Sequence, residues 1–192
     1  MAEIRSSLDI ALEKAARLGS VDKEEMARDT RVERGRRLAV TFLQSQDATM
    51  RSLLEGVDPQ GFQDVLAGVF QVLMRNIILP RDEQRTQISR ALAGIGELKG
   101  SSARGILSQI DQLIDAYLQT KKHYYEHLKV QMEGKLGGLQ EAMAQQYGMR
   151  GMERLSAESL PQFQQEWAKL SSEIAEQFQQ KLDLLKANLE HL

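Results

Sequence analysis

The sequence predicts an all-α fold, and three observations predict it. Ala, Leu, Glu, Gln, Lys and Arg dominate the 192 residues, and these are the strong helix formers. Hydrophobic residues make up 42% of the chain but aromatics only 5%, so the core must come from aliphatic side chains, which suits helix-on-helix packing. Three prolines are too few to supply the turns of an all-β chain. The expected architecture is a bundle of about five to six helices. It ends in a long antiparallel, coiled-coil-like hairpin formed by the last two long helices. The organisation is read as an N-terminal helical part, residues 1–100, and the helical hairpin, residues 101–192, within one continuous structural unit.

A first helix is expected over residues 2–18, with Ile4, Leu8, Ala11, Leu12, Ala15 and Leu18 on one face at steps of three and four. Gly19 would close it and Ser20 would cap the next. That second helix is expected over residues 21–55 with Gly56 ending it, charged in its first half and apolar in its second through Leu38, Phe42, Leu43, Met50, Leu53 and Leu54. Asp58-Pro59 reads as an N-cap followed by a proline in the first helical position.

The third helix, residues 59–79, carries apolar residues on all sides, from Val65 to Ile78, and is therefore expected to be central. Pro80 breaks the chain, and a shorter helix over residues 82–98 stops at Gly100. Residues 103–147 would form the longest helix, roughly 65–70 Å if unbroken. Gly134, Gly137 and Gly138 predict a kink there, or a close approach by another helix.

Gly148 and Gly151 mark a turn, and Ser159 with Gln162 has the spacing of a capping box. The last helix shows the cleanest pattern. Leu160, Phe163, Trp167, Leu170, Ile174, Phe178, Leu182, Leu185, Leu189 and Leu192 form a heptad seam with one stutter between Ile174 and Leu182. Within it Phe163, Trp167, Leu170, Ile174 and Phe178 are the candidate partner or interface residues.

The formal charge of −2, from 25 basic and 27 acidic residues, gives no global pull toward nucleic acid or anionic lipid. With no cysteine there is neither a disulfide framework nor a thiolate metal site. No apolar run reaches the ~18 residues of a spanning helix. The sequence reading places the chain in the cytoplasm, with no membrane span and no cofactor.

One motif has a chemical name. His123-Tyr124-Tyr125-Glu126-His127 matches H-x-x-E-H, with two imidazoles one helical turn apart. Over these five residues the chain resembles the inverted zincin metallopeptidases. That resemblance implies His123 and His127 as metal ligands and Glu126 as a general base. A catalytic zinc needs a third protein ligand, and Glu153, Glu158, Glu166, Glu173 and Glu176 offer no single choice. The plainer reading is a solvated helical face.

Arg28, Arg31, Arg34 and Arg37 recur every three residues and form a candidate anion-contacting row. Acidic residues interleave with them: residues 21–40 hold six basic and five acidic side chains. Glu24 with Arg28 and Glu33 with Arg37 have the spacing of stabilising i, i+4 pairs. Other chemistries lack their signatures. No histidine follows a glutamate by three positions, as a di-iron bundle requires. No glycine loop ends in Gly-Lys-Ser/Thr, and no nucleophile elbow is present. Met26, Met50, Met74, Met132 and Met143 read as core packing.

The leading expectation is a non-enzymatic interaction or scaffold protein, paired with itself as a homo-oligomer, most simply a dimer, or with another protein. A metal-dependent hydrolase at His123, Glu126 and His127 is the second reading. A weak nucleic-acid-binding module using Arg28 to Arg37 is the third.

Overall fold

The computed structural model describes residues 7–81, 84–147 and 156–192, with side chains described over residues 23–81, 84–138 and 156–192. Among these the chain is all helix: α1 (Ser7–Gln44), α2 (Met50–Leu54), α3 (Phe62–Asn76), α4 (Arg85–Lys99), α5 (Arg104–Tyr147) and α6 (Pro161–Glu190), with short 3-10 turns between some of them. No strand occurs among the described residues. The chain divides into two compact units. One comprises the residues to Ile77 together with Thr86–Ser101; the other comprises Ile78–Arg85 and Ser102–Leu192. The division falls near residue 100, but Ile78–Arg85 belongs with the second unit.

The first unit is organised by the crossing of α1 and α3. The side chains of α1 that turn inward are small, with Gly35 and Ala39 buried between Arg31 and Phe42. A β-carbon added at Gly35 would lie 2.0 Å from the carbonyl oxygen of Val65, and one added at Gly68 would lie 2.0 Å from that of Val32. The two helices therefore meet backbone to backbone. Around this contact α3 buries Val65, Val69, Leu73 and Met74, while its exposed positions reduce to one row four residues apart: Gln63, Ala67, Gln71 and Arg75. The expectation of a central third helix holds.

Several helix boundaries differ from the sequence reading: the helix expected over residues 59–79 is α3, Phe62–Asn76, preceded by a 3-10 turn, Pro59–Gly61, that Asp58 caps. The break expected at Gly19 and Ser20 is absent, and α1 runs through both. A lone interior glycine costs only about 1 kcal/mol, which flanking helix formers carry. Conversely, the expected helix over residues 21–55 is two helices, α1 ending at Gln44 and α2 starting at Met50. Thr49 caps α2 by accepting a hydrogen bond from the Ser52 amide at 3.2 Å. Residues 2–6 of the first expected helix lie outside the described residues.

Arg90 of α4 closes the end of α1. Its guanidinium lies 3.9 Å from the centre of the Phe42 ring. It donates to the carbonyls of Phe42 at 3.2 Å and Ser45 at 2.7 Å, and also to that of Ala48. A helix C-terminus leaves its last carbonyls without intrahelical donors, and a planar guanidinium can serve several at once. Beside it, Glu97 accepts the Met50 amide at 2.7 Å. Gly94 sits against Phe42 and Leu73, where an added β-carbon would come within 2.7 Å of the Phe42 ring. Gly56 and Gly100 have positive φ, 80° and 64°, and end α2 and α4 as their positions in the sequence predict.

In the second unit α5 and α6 pack antiparallel: Tyr125 meets Phe163 and Trp167, while the earlier Tyr117 meets the later Phe178. Each helix buries one stripe. On α5 it runs through Ile110, Ile114, Tyr117, Leu128 and Met132; on α6 it runs through Phe163, Ile174, Leu182 and Leu189. The seam stops there, for Leu192 is 51% exposed. Helix α5 continues unbroken through Gly134, Gly137 and Gly138, and nothing described lies within 4 Å of where their β-carbons would stand. These glycines accommodate no close approach among the described residues.

The capping box does not form. Ser159 belongs to a 3-10 turn, Ala157–Ser159, and its hydroxyl donates to the Ser156 carbonyl at 2.7 Å. Helix α6 starts instead at Pro161, which has no N–H and so needs no acceptor there. The expected turn at Gly148 and Gly151 lies outside the described residues.

Two stability predictions follow from this packing. Gly35→Ala and Gly68→Ala should each destabilise the protein by about 1–3 kcal/mol, because a methyl must displace helix backbone. Gly134→Ala, in open helix, should instead stabilise it by roughly 0.5–1 kcal/mol. Urea denaturation followed by circular dichroism separates the two signs. Arg90→Met keeps the side-chain bulk but strands the carbonyls of Phe42, Ser45 and Ala48, and should cost about 2–3 kcal/mol in the same assay.

Candidate functional site

The arginine row is largely committed to internal ion pairs. Arg31 Nε donates to Asp64 Oδ2 at 2.8 Å, and its Nη2 reaches Glu24 at 3.2 Å. Hydrogen bonding to Asp64, then to Glu24, holds the guanidinium pKa above its ordinary value. The side chain passes over Gly61, where a β-carbon would stand 2.2 Å from Arg31 Cδ. Arg28 approaches the same Asp64 at 3.4 Å, and Arg37 pairs with Glu33 at 3.6 Å. Arg36 donates to Gln71 of α3 at 3.0 Å. Only Arg34 of the four has an exposed side chain with no ion pair among the described residues. Three of the four candidate anion contacts thus already face carboxylates, and Arg31 joins α1 to α3.

The α6 seam residues meet α5 inside the chain. Phe163 is buried, edge-on to Tyr125 with ring centres 5.5 Å apart; Trp167 lies 5.0 Å from the same ring. Phe178 stands 5.5 Å from Tyr117, Ile174 is buried, and Leu170 is half-buried. Leu128, Met132 and Ala157 join Phe163 in one buried cluster, with Tyr125, Leu136, Leu160 and Trp167 packed on it.

A polar latch that the sequence reading missed closes this cluster. The Tyr125 hydroxyl donates to Glu158 Oε1 at 2.7 Å, and Lys129 Nζ donates to the same oxygen at 3.0 Å. These two bonds, Tyr125 first, hold the Glu158 carboxyl below its ordinary range. The same contact with Glu158 raises both Tyr125 and Lys129. The spacing of Tyr125 and Lys129, i and i+4 on one helix, was the available signal, but nothing in the sequence singled out Glu158 as their partner.

His123, Glu126 and His127 all lie on the exposed side of α5. His123 meets the Tyr124 ring edge-on at 5.7 Å. No group of three or more His, Cys, Asp or Glu side chains converges anywhere among the described residues. Of the methionines read as core, Met50, Met74 and Met132 are buried, whereas Met26 is 70% exposed. Met143 lies outside the described side chains.

Two of the clefts on the second unit are lined by described residues. The larger, about 730 Å³, is lined by Ile78, Leu79, Arg81, Gln84, Tyr117 and four residues of α6 from Ser172 to Gln179. Burial raises the Tyr117 hydroxyl, and the nearby positive charge of Arg81 opposes that shift. A tyrosine so shifted is a weaker acid than usual, which does not suit proton transfer at neutral pH. The smaller cleft, about 420 Å³, is lined by Gln109, Gln112, Leu113, Lys181, Leu184 and Leu185. Leu184 is 68% exposed beside it.

Residues 51–191 match a family described as a family of unknown function, DUF6657. The chain belongs to DUF6657. The matched residues take in most of α2 and all of α3, α4, α5 and α6, with Arg90, the Tyr125–Glu158 latch and both clefts; the arginine row lies before them. No curated protein and no solved structure matches the chain. No helix among the described residues is long and apolar enough to cross a membrane.

The latch carries a pH dependence. A carboxyl whose folded pKa is depressed stabilises the fold above its unfolded pKa, near 4.5, and that contribution disappears as the pH falls through the folded value. The sole tryptophan, Trp167, packs on Tyr125 and reports the event. Its emission should shift on acidification below about pH 4.5. Glu158→Gln should give the acid-side emission already at pH 7, and should flatten the titration.

Proposed function

We propose that the chain is a non-enzymatic helical interaction protein that acts in the cytoplasm by pairing with a second copy of itself. The observation that carries this reading is the apolar groove of Leu113, Leu184 and Leu185 on the α5–α6 pair, in which Leu184 stands 68% exposed. Fully burying a leucine is worth about 1.5–3 kcal/mol, and a two-fold pairing would bury the groove of both copies at once. The rim favours self-pairing, since Gln109 and Gln112 are uncharged and Lys181 lies two residues from Asp183, which gives a two-fold axis opposite charges to match. Helix length also supports it: the 30 residues of α6 extend about 45 Å, enough for an interface of ordinary size.

The heptad residues Phe163, Trp167, Leu170, Ile174 and Phe178 are not part of this surface, because α5 engages them. No observation favours hydrolysis or nucleic-acid binding to the same degree. His123, Glu126 and His127 have no third ligand among the described residues, and the arginine row is largely paired.

Light scattering of the full chain, from about 1 µM to about 100 µM, tests the proposal. The expected mass at the upper end is that of a dimer. Leu184→Glu should raise the dissociation constant at least about tenfold without loss of helicity. A wild-type chain that stays monomeric over the whole range would sink the idea. A near-stoichiometric foreign protein, recovered from native cells by the wild type but not by Leu184→Glu, would replace the second copy with that partner.

A further inference from the structure

His123 and His127 are left over from everything that builds the second unit. They stand four residues apart in the uninterrupted helix α5, both exposed, and neither makes a hydrogen bond or ion pair among the described residues. A neutral histidine presents one ring nitrogen with a free lone pair, and both side chains here are exposed.

We propose that His123 and His127 form a two-imidazole site for a late first-row divalent cation, of which Zn²⁺ is the test case. Residues four apart on a helix have β-carbons about 5–6 Å apart. Two imidazoles so placed can rotate to put a nitrogen about 2.0–2.1 Å from one ion. The helix already supplies the backbone geometry, so binding has only side-chain rotamers to fix and no competing bonds to break. The donor type selects the metal: imidazole suits Zn²⁺, Ni²⁺ and Cu²⁺, whereas Mg²⁺ and Ca²⁺ require oxygen ligands.

The surroundings set the character of the site. Glu126 follows His123 by three residues on the same exposed side and offsets the positive charge of neighbouring Lys122. Lys129 is drawn away to Glu158 at 3.0 Å. With no third protein ligand converging among the described residues, the remaining coordination positions stay open to water or to an exchangeable ligand. Such a site captures and releases a cation. It is not the three-ligand centre of a metallopeptidase, and it is independent of the pairing proposed above.

Isothermal titration of chelator-treated full chain with Zn²⁺, repeated against a chromophoric indicator, tests the assignment. One ion per chain should bind, and a tenfold excess of Mg²⁺ or Ca²⁺ should not displace it (about tenfold suffices, given their oxygen preference). His123→Ala or His127→Ala should weaken binding by roughly 100-fold, the loss expected when a chelate becomes a single ligand. His191→Ala, which removes the remaining histidine of the chain, should leave it unchanged. Both substituted positions are exposed, so circular dichroism should show the fold intact. No uptake at about millimolar Zn²⁺, a concentration that would detect even weak binding, would overturn the proposal. So would uptake that survives the His123→Ala/His127→Ala double variant.

Discussion

Two helices can approach most closely where neither presents a side chain, and α1 and α3 do so at Gly35 and Gly68. The reciprocal placement matters: each glycine faces the carbonyl of a residue three positions before the other, Val65 and Val32. A methyl on either side would push the axes apart and loosen the flanking contacts. Ala39, Val65, Val69 and Leu73 are fully or almost fully buried because the gap they fill is narrow. The same closeness lets Arg31 pass over Gly61 to Asp64, and lets Arg36 reach Gln71. Fixing α3 against α1 leaves Phe42 buried, and on that ring Arg90 and Gly94 of α4 come to rest.

The second unit solves the same problem by the opposite means. Its helices are held apart by large side chains, and half of the chain's Phe, Tyr and Trp residues lie in the α5–α6 seam: Tyr117, Tyr125, Phe163, Trp167 and Phe178. The polar tips of the tyrosines then need partners or water. Tyr125 finds Glu158, which ties the 3-10 turn before α6 to α5 at the point where the aromatic cluster ends. One oxygen accepts from both Tyr125 and Lys129, so a single carboxyl holds two positions of α5 to the 3-10 turn.

What the sequence made legible was whatever depends on periodicity and local chemistry. The helical class, the central character of α3, the Asp58 cap on the turn that leads into it, the stops at Gly56 and Gly100 and the α6 stripe all follow from spacing, capping chemistry or glycine's tolerance of positive φ. What remained hidden depends on tertiary partners. A glycine in a helical pattern has one appearance and several uses. Gly19 reads as a stop and is passed through, Gly134 reads as a close approach and meets nothing among the described residues, and Gly35 and Gly68, which no local pattern distinguishes, carry the close contact. The arginine row shows the same limit. Its i, i+4 partner for Arg37 is found at Glu33, but Glu24 goes to Arg31, and the carboxylate that decides the matter, Asp64, lies 33 positions away.

A heptad seam carries a further ambiguity with consequences for function. It states that a helix has an apolar partner along its length, and it is silent on whether that partner lies in the same chain. On α6 the seam from Phe163 to Leu189 is covered by α5, so its regularity reports folding. Evidence for an external partner must come from apolar atoms that the internal packing leaves outside, and these are off the seam. Leu184 is flanked in sequence by Leu185, which is half-buried, and lies two residues after Leu182, which is fully buried. A helix that needed only its internal stripe would be free to carry a polar residue at position 184, as it does at Gln177, Gln180 and Lys181. The interaction reading therefore rests on the residue that breaks the pattern, and the pattern itself is accounted for by the fold.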